Sequence, residues 1–187
     1  CKGRLSVARP VTLTVTDRML AVRGLVCDVD GVLTDGRLNY LGDQEMKSFS
    51  VLDGFGITLA KQAGWKVALL TARGGPAVER RAAELAVELV SGERNKGAAF
   101  ASICERWTLP MREVAYIGDD WLDLPALTQA GLAATVPNAA AAVRQRAHWL
   151  ASVPGGDGAV RELIEATLRV QGRLDELLQR YLAGGGA

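Results

Sequence analysis

The sequence predicts an α/β fold: a Rossmann-like parallel sheet with helices on both faces. Short apolar runs (GLVCD, KVALLT, AVELV, VAYIGD, LAATV and AHWLA) recur between residues 24 and 151. Amphipathic segments such as GGPAVERRAAELA and NKGAAFASICERW separate them, the alternation expected of βαβ units. The polar residues best suited to chemistry fall at or just after the ends of these runs, and ligands of parallel sheets bind at such ends.

Taken in order, residues 1–22 are polar and interrupted and are expected to form a weakly ordered lead-in. The start at Cys1 leaves open a processed or incomplete N-terminus. Residues 23–173 are expected to fold as one domain, since 187 residues, 49% of them hydrophobic, supply one sizeable core. The first run ends in Asp28-Val29-Asp30-Gly31. Between it and the first helix lies DGRLNYLGDQEMKSFSVLDG, where Leu38 and Tyr40 set against Phe49 and Val51 predict a projecting β-hairpin over about 36–52, turning at Gly42-Asp43. NAAAAVRQRA reads as a helix capped by Asn138, and residues 174–187 as a helical tail suited to docking on a neighbouring subunit.

Lys and Arg total 22 against 21 for Asp and Glu, a net charge of +1, so no basic footprint marks a nucleic-acid or membrane partner. No apolar run is long enough to span a bilayer, and a cytoplasmic protein is expected. Cys1, Cys27 and Cys104 lack metal-ligand spacing, and His148 is the single histidine; Cys27 and Cys104 suit buried free thiols.

Four run ends carry the candidate chemistry: Asp28 and Asp30, then Thr71, then Lys96 opening a helix, then Gly118-Asp119-Asp120 with Asp123 beyond. Carboxylates gathered with one hydroxyl and one lysine are what phosphoryl transfer requires, because Mg²⁺ takes hard oxygen ligands while lysine and hydroxyl hold phosphate oxygens. Asp28 can serve as nucleophile. Asp30, two residues on, points to the same side of an extended chain and can protonate a leaving oxygen and later activate water.

In this order and spacing, DVDGV, Thr71, Lys96 and GDDxxD resemble the four motifs of the haloacid dehalogenase (HAD) superfamily. DVDGVLTDG, KSFSVLDGFGI, LLTARGG, SGERNK, AYIGDDWLDLP and GGDGAVRELIEATLRVQG further resemble the 3-deoxy-D-manno-octulosonate 8-phosphate phosphatases, over about residues 25–173. The resemblance implies a Mg²⁺-dependent phosphatase acting on a small sugar-acid phosphate in lipopolysaccharide precursor synthesis, without a large cap, assembled as a homotetramer whose hairpins help close neighbouring sites. It implies Asp28 as nucleophile and metal ligand, Asp30 as acid/base with its backbone carbonyl on the metal, and Asp119 as the third protein ligand, with Asp120 behind them. Thr71 and Lys96 would hold the phosphoryl group. Ser50, Val51, Leu52, Asp53, Gly54, Arg73 and Arg81 match positions that contact substrate.

The sequence departs from that family at Leu52 and Thr58, where basic residues are usual. An arginine is the natural bidentate partner of a sugar-acid carboxylate, so a nine-carbon acid 9-phosphate of neuraminate type stays open as substrate. A non-catalytic oligomerisation module is the alternative from another class; the intact Asp28, Asp30, Lys96 and Asp119 argue against it. By residue type alone, Asp35 also suits a turn, Asp123 a helix cap, Arg81 a solvated helix face, and Arg161 either the site entrance or a helix first turn.

Overall fold

A computed structural model describes residues 13–185. In chain order it contains α1 (Val15–Ala21), β1 (Gly24–Cys27), the ribbon strands β2 (Asn39–Leu41) and β3 (Gln44–Met46), α2 (Val51–Gln62), β4 (Lys66–Thr71), α3 (Pro76–Leu85), β5 (Glu88–Ser91) and α4 (Lys96–Trp107). It continues with β6 (Val114–Ile117), α5 (Leu124–Leu127), β7 (Leu132–Thr135), α6 (Ala141–Arg144), β8 (Trp149–Leu150), α7 (Ala159–Val170) and α8 (Leu174–Leu182).

Six strands pair in parallel in the order β5-β4-β1-β6-β7-β8. β1 lies at the centre, with Cys27 opposite Leu69 of β4 on one side and Ile117 of β6 on the other. Both central strands, β1 and β6, are buried along their whole length, as all-apolar strands covered on both faces must be. After β5 the chain returns to the far side of β1, so the strand order reverses between β1 and β6. A crevice opens at such a reversal, and Asp28 and Asp119 follow the two strands that flank it. α2 and α1 pack on α7, while α4 packs on α5 and β4.

Three expectations need correction. Thr14 caps α1 and Asp17 bonds back to the Thr14 amide, so residues 14–21 form a capped helix rather than a loose lead-in; residues 1–12, including Cys1, lie outside the described residues. The paired ribbon covers only 39–46, because the chain leaves β3 at Lys47 and starts α2 at Val51, putting Val51 and Leu52 in a helix instead of a strand. Asn138 caps no helix: its Nδ2 donates to the Gly31 carbonyl at 3.1 Å and its Oδ1 accepts from the Gly155 amide at 2.9 Å, and α6 begins only at Ala141. The tail helix α8 packs on its own chain through buried Leu177 and an edge-on contact of Tyr181 with Phe55, and it leaves Leu178 and Leu182 exposed. No helix among the described residues is long and apolar enough to cross a membrane.

Candidate active site

The strand ends bring Asp28, Asp30, Thr71, Arg73, Lys96, Asp119, Asp120 and Asp123 around one cavity of about 360 Å³. At its floor, Lys96 Nζ lies 2.7 Å from Asp28 Oδ1 and 2.7 Å from Asp123 Oδ1. Lys96 is buried, so only these charges make its ammonium group tenable; burial opposes the charge, but Asp28 and Asp123 outweigh it and raise its pKa.

Asp123 is the hub of this floor. It is fully buried, and its Oδ1 also accepts from Tyr116 Oη at 2.6 Å, while its Oδ2 accepts from the Asp119 and Asp120 amides at 3.0 Å each. Asp120 caps the short turn that follows through the Trp121 amide, and Asp119 lines the cavity beside it.

Oxygens of Asp28, Asp119 and Asp123 lie within 4.8 Å of one another. Both Asp123 oxygens are already taken by donors, whereas Asp119 Oδ1 is buried with no hydrogen-bond partner. Three carboxylates face one ammonium, and an orphaned carboxylate oxygen in such surroundings fits a divalent cation with hard oxygen ligands. Burial, then the Asp123 charge, push the Asp28 carboxyl well above the usual carboxylate range, and the same two causes push Asp119 up to about 6. A cation between Asp28 and Asp119 would remove that penalty.

Glycines shape the rim. Gly31 has φ +93°, and a Cβ there would lie 2.1 Å from Asp119 Oδ2, so no other residue fits beside the carboxylate. Thr34 Oγ1 accepts from the Gly31 and Gly36 amides at 3.3 and 3.2 Å, and Asn138 clasps this loop to Gly155.

Residues 50–54 and Arg81 do not line this cavity. Ser50 caps α2 by accepting from the Leu52 amide at 3.2 Å, Val51 and Leu52 are exposed, and buried Asp53 accepts from the Arg161 amide at 3.0 Å in the first turn of α7. A Cβ on Gly54 would meet Arg81 Nη2 at 2.2 Å; Arg81 donates to the Ser50 carbonyl at 3.2 Å and lies over the Phe49 ring in a neighbouring cavity. Thr58 is tied to the Gly54 carbonyl at 3.2 Å, and Arg161 lies over Phe55, bonded to Glu165, away from the site entrance. Asp35 makes the turn, accepting from the Arg37 amide at 2.9 Å. His148 Nδ1 accepts from the Ala133 amide at 3.0 Å, a structural role.

Sequence reasoning missed Arg94, which lines the cavity and has no hydrogen-bond or ion-pair partner among the described residues. It also missed Lys47, which donates to Asp30 Oδ1, and Glu45, whose Oε2 takes Arg73 Nη2 at 2.8 Å. Nothing in the charge pattern distinguishes these side chains from solvated ones; Arg94 alone had a pointer, standing two residues before Lys96.

A central parallel sheet whose first strand runs into Asp28, with a buried lysine and an acidic loop beside it, is the arrangement of a phosphohydrolase-type α/β enzyme. Residues 79–163 match the haloacid dehalogenase-like hydrolases, and the chain belongs to that class. The 3-deoxy-D-manno-octulosonate 8-phosphate phosphatase of Salmonella typhi is 41% identical over 170 residues, covering 89% of this chain and 90% of that protein. The Escherichia coli K12 protein of the same name is 40% identical with the same coverage. The crystal structure of the Moraxella catarrhalis phosphatase, in complex with magnesium ion, phosphate ion and a KDO molecule, superposes with a TM-score of 0.87 at 33% identity over 89% of this chain and 97% of that one. Within the hydrolases, this chain belongs to the family of the 3-deoxy-D-manno-octulosonate 8-phosphate phosphatases.

Proposed function

We propose that the protein is a Mg²⁺-dependent phosphatase that hydrolyses 3-deoxy-D-manno-octulosonate 8-phosphate to the free sugar acid and phosphate. The observation that carries this reading is the convergence of Asp28, Asp30, Thr71, Lys96 and Asp119 on one cavity at the reversal of strand order. Asp28, Asp119 and the Asp30 backbone carbonyl would hold Mg²⁺, which when bound neutralises charge between the carboxylates and the phosphate oxygens. Lys96 sets the orientation of Asp28 through its 2.7 Å contact and, with Thr71, binds phosphate oxygens.

In the first half-reaction an Asp28 oxygen forms a bond to phosphorus; the P–O bond to the sugar breaks, and the sugar oxygen keeps that electron pair and takes the proton of Asp30. In the second, a water oxygen bonds phosphorus, the bond to Asp28 breaks, and Asp30 recovers a proton from that water.

The nine-carbon 9-phosphate remains the second reading, favoured by exposed Leu52 and by Thr58, which place no cation at either position. The tetrameric assembly and cytoplasmic location of the family's enzymes are part of the proposal; exposed Leu38, Tyr40 and Leu41 on the ribbon support an intersubunit role for it. A phosphate-release panel of sugar phosphates with and without Mg²⁺ tests the function. Turnover of the octulosonate 8-phosphate above all others is expected, and no Mg²⁺-dependent release from any sugar-acid phosphate would refute it.

A further inference from the structure

Behind the catalytic cavity, the ribbon supplies a lysine to which the reaction above gives no task. Lys47, one residue past β3, has a side chain only 4% exposed, although β2 and most of β3 face solvent. An ammonium group is expensive to bury, so its partners determine its place. Its Nζ donates to Asp30 Oδ1 and lies 2.8 Å from Glu45 Oε1. Glu45 Oε2 pairs with Arg73 Nη2 at 2.8 Å, the Arg73 amide donates to Thr71 Oγ1 at 3.0 Å, and Thr71 Oγ1 lies 3.4 Å from Asp30 Oδ2. The contacts form a closed ring: Asp30, Lys47, Glu45, Arg73, Thr71 and back to Asp30.

The ring has two sides. Asp30 and Thr71 line the catalytic cavity, whereas Lys47 and Glu45 line an adjoining cavity of about 310 Å³ under the ribbon. Oδ1 of Asp30 is thus tied from behind, and Oδ2 is left on the Thr71 side, where the phosphoryl group would sit. We propose that Lys47 is a positioning residue for Asp30, holding Oδ1 so that Oδ2 meets the oxygen of the departing alcohol. This rests on the phosphatase reading and extends it, by making the ribbon part of the catalytic apparatus of its own subunit. Lys47 keeps all its protons through both half-reactions; the proton that moves is the one Asp30 gives to the sugar oxygen and regains from water.

The test compares leaving groups. A sugar alkoxide must be protonated to depart, whereas p-nitrophenolate leaves as a stable anion. A misplaced Asp30 therefore slows the first half-reaction of a sugar phosphate far more than that of p-nitrophenyl phosphate. With Mg²⁺ present, Lys47→Met should lower kcat on the octulosonate phosphate by about 30-fold or more with KM nearly unchanged, because an acid group of this kind contributes about 10²- to 10⁴-fold. The rapid-mixing burst of p-nitrophenolate should stay within about threefold of wild type. Lys47→Arg, keeping length and charge, should recover at least a tenth of the wild-type sugar-phosphate rate. Thermal melting with and without Mg²⁺ reports folding, and Lys47→Gln carries the same comparison should the methionine variant not fold. Equal losses in the sugar-phosphate rate and the p-nitrophenolate burst would show that Lys47 only pins the ribbon, and no loss in either would show that Asp30 needs no positioning; each overturns the proposal. A wild type inert on both substrates would overturn the phosphatase reading itself, and the Lys47 proposal with it.

Discussion

Replacing Asp123 by asparagine keeps the side chain's shape and removes its charge at a place where four donors converge. Lys96 Nζ and Tyr116 Oη point at one oxygen, and the Asp119 and Asp120 amides at the other. The new amide brings two hydrogens of its own: turned towards the backbone amides it faces two donors and both contacts fail, and turned the other way it faces the Lys96 ammonium, while Tyr116 Oη can accept from it, so one or two of the four contacts fail. Hydrogen bonds to a charged group contribute about 1.5 to 3 kcal/mol each, so losing one or two of them costs about 1.5 to 6 kcal/mol. At roughly 2 to 4 °C per kcal/mol for a chain of this length, melting should fall by roughly 3 to 24 °C. Urea and thermal unfolding measure it, and steady-state assays should show kcat falling alongside, since Lys96 would lose one of its two counter-charges. An Asp123→Asn protein melting within 2 °C of wild type with full turnover would show that the carboxylate is not the hub, and would refute the reasoning.

Asp28→Asn should abolish turnover while leaving melting within a few degrees of wild type, since the native carboxyl is already disfavoured as an anion by burial and by Asp123; retained activity in the purified mutant would remove its role as nucleophile. EDTA should stop turnover and Mg²⁺ restore it; full rate in chelated enzyme would contradict the metal's part. The Mg²⁺-induced rise in melting temperature should grow from pH 4 to above pH 6. A folded-state pKa of about 6 for Asp119, above its unfolded value, means that the metal-free fold binds the extra proton and loses stability as pH rises through that window, while Mg²⁺ takes the proton's place. A pH-independent Mg²⁺ shift would argue against Asp119 as ligand. Leu52→Arg should lower KM for the octulosonate 8-phosphate by a few-fold or more if that is the substrate, as a new pair of about 1.5 to 3 kcal/mol allows. An unchanged KM on both eight- and nine-carbon substrates would place position 52 outside the binding surface.

What the sequence made legible was the part that local chemistry determines. Asp28, Thr71, Lys96 and Asp119 each stand at the end of an apolar run, and parallel pairing alone carries them to one edge. What it hid depends on contacts made across the fold. The alternation of Leu38, Tyr40, Phe49 and Val51 overstated the ribbon, because it could not show that Lys47 turns inward to Asp30 and ends the pairing. Asn138 looked like a cap until Gly31 and Gly155, both distant in sequence, claimed its side chain. The motif Thr14-Val15-Thr16-Asp17 did announce a helix start, but its polar surroundings obscured it. Asp53 and Arg81 match substrate-contacting positions by resemblance; in the fold Asp53, in α2, accepts from the first turn of α7, and Arg81 lies over Phe49.

The Asn138 clasp has a consequence for how the chain matures. The loop after β1 is held by Asn138 and by Gly156, whose amide donates to the Val32 carbonyl at 2.9 Å. These partners emerge from the ribosome roughly 120 residues after the loop does, a wait of about 6 to 24 s at ~5–20 residues per second. Until then the loop that carries Asp28 and Asp30 lacks both of these contacts. The enclosure of the loop is deferred until the last quarter of the polypeptide closes over it, so a nascent chain stalled before residue 138 carries Asp28 on a loop without its clasp.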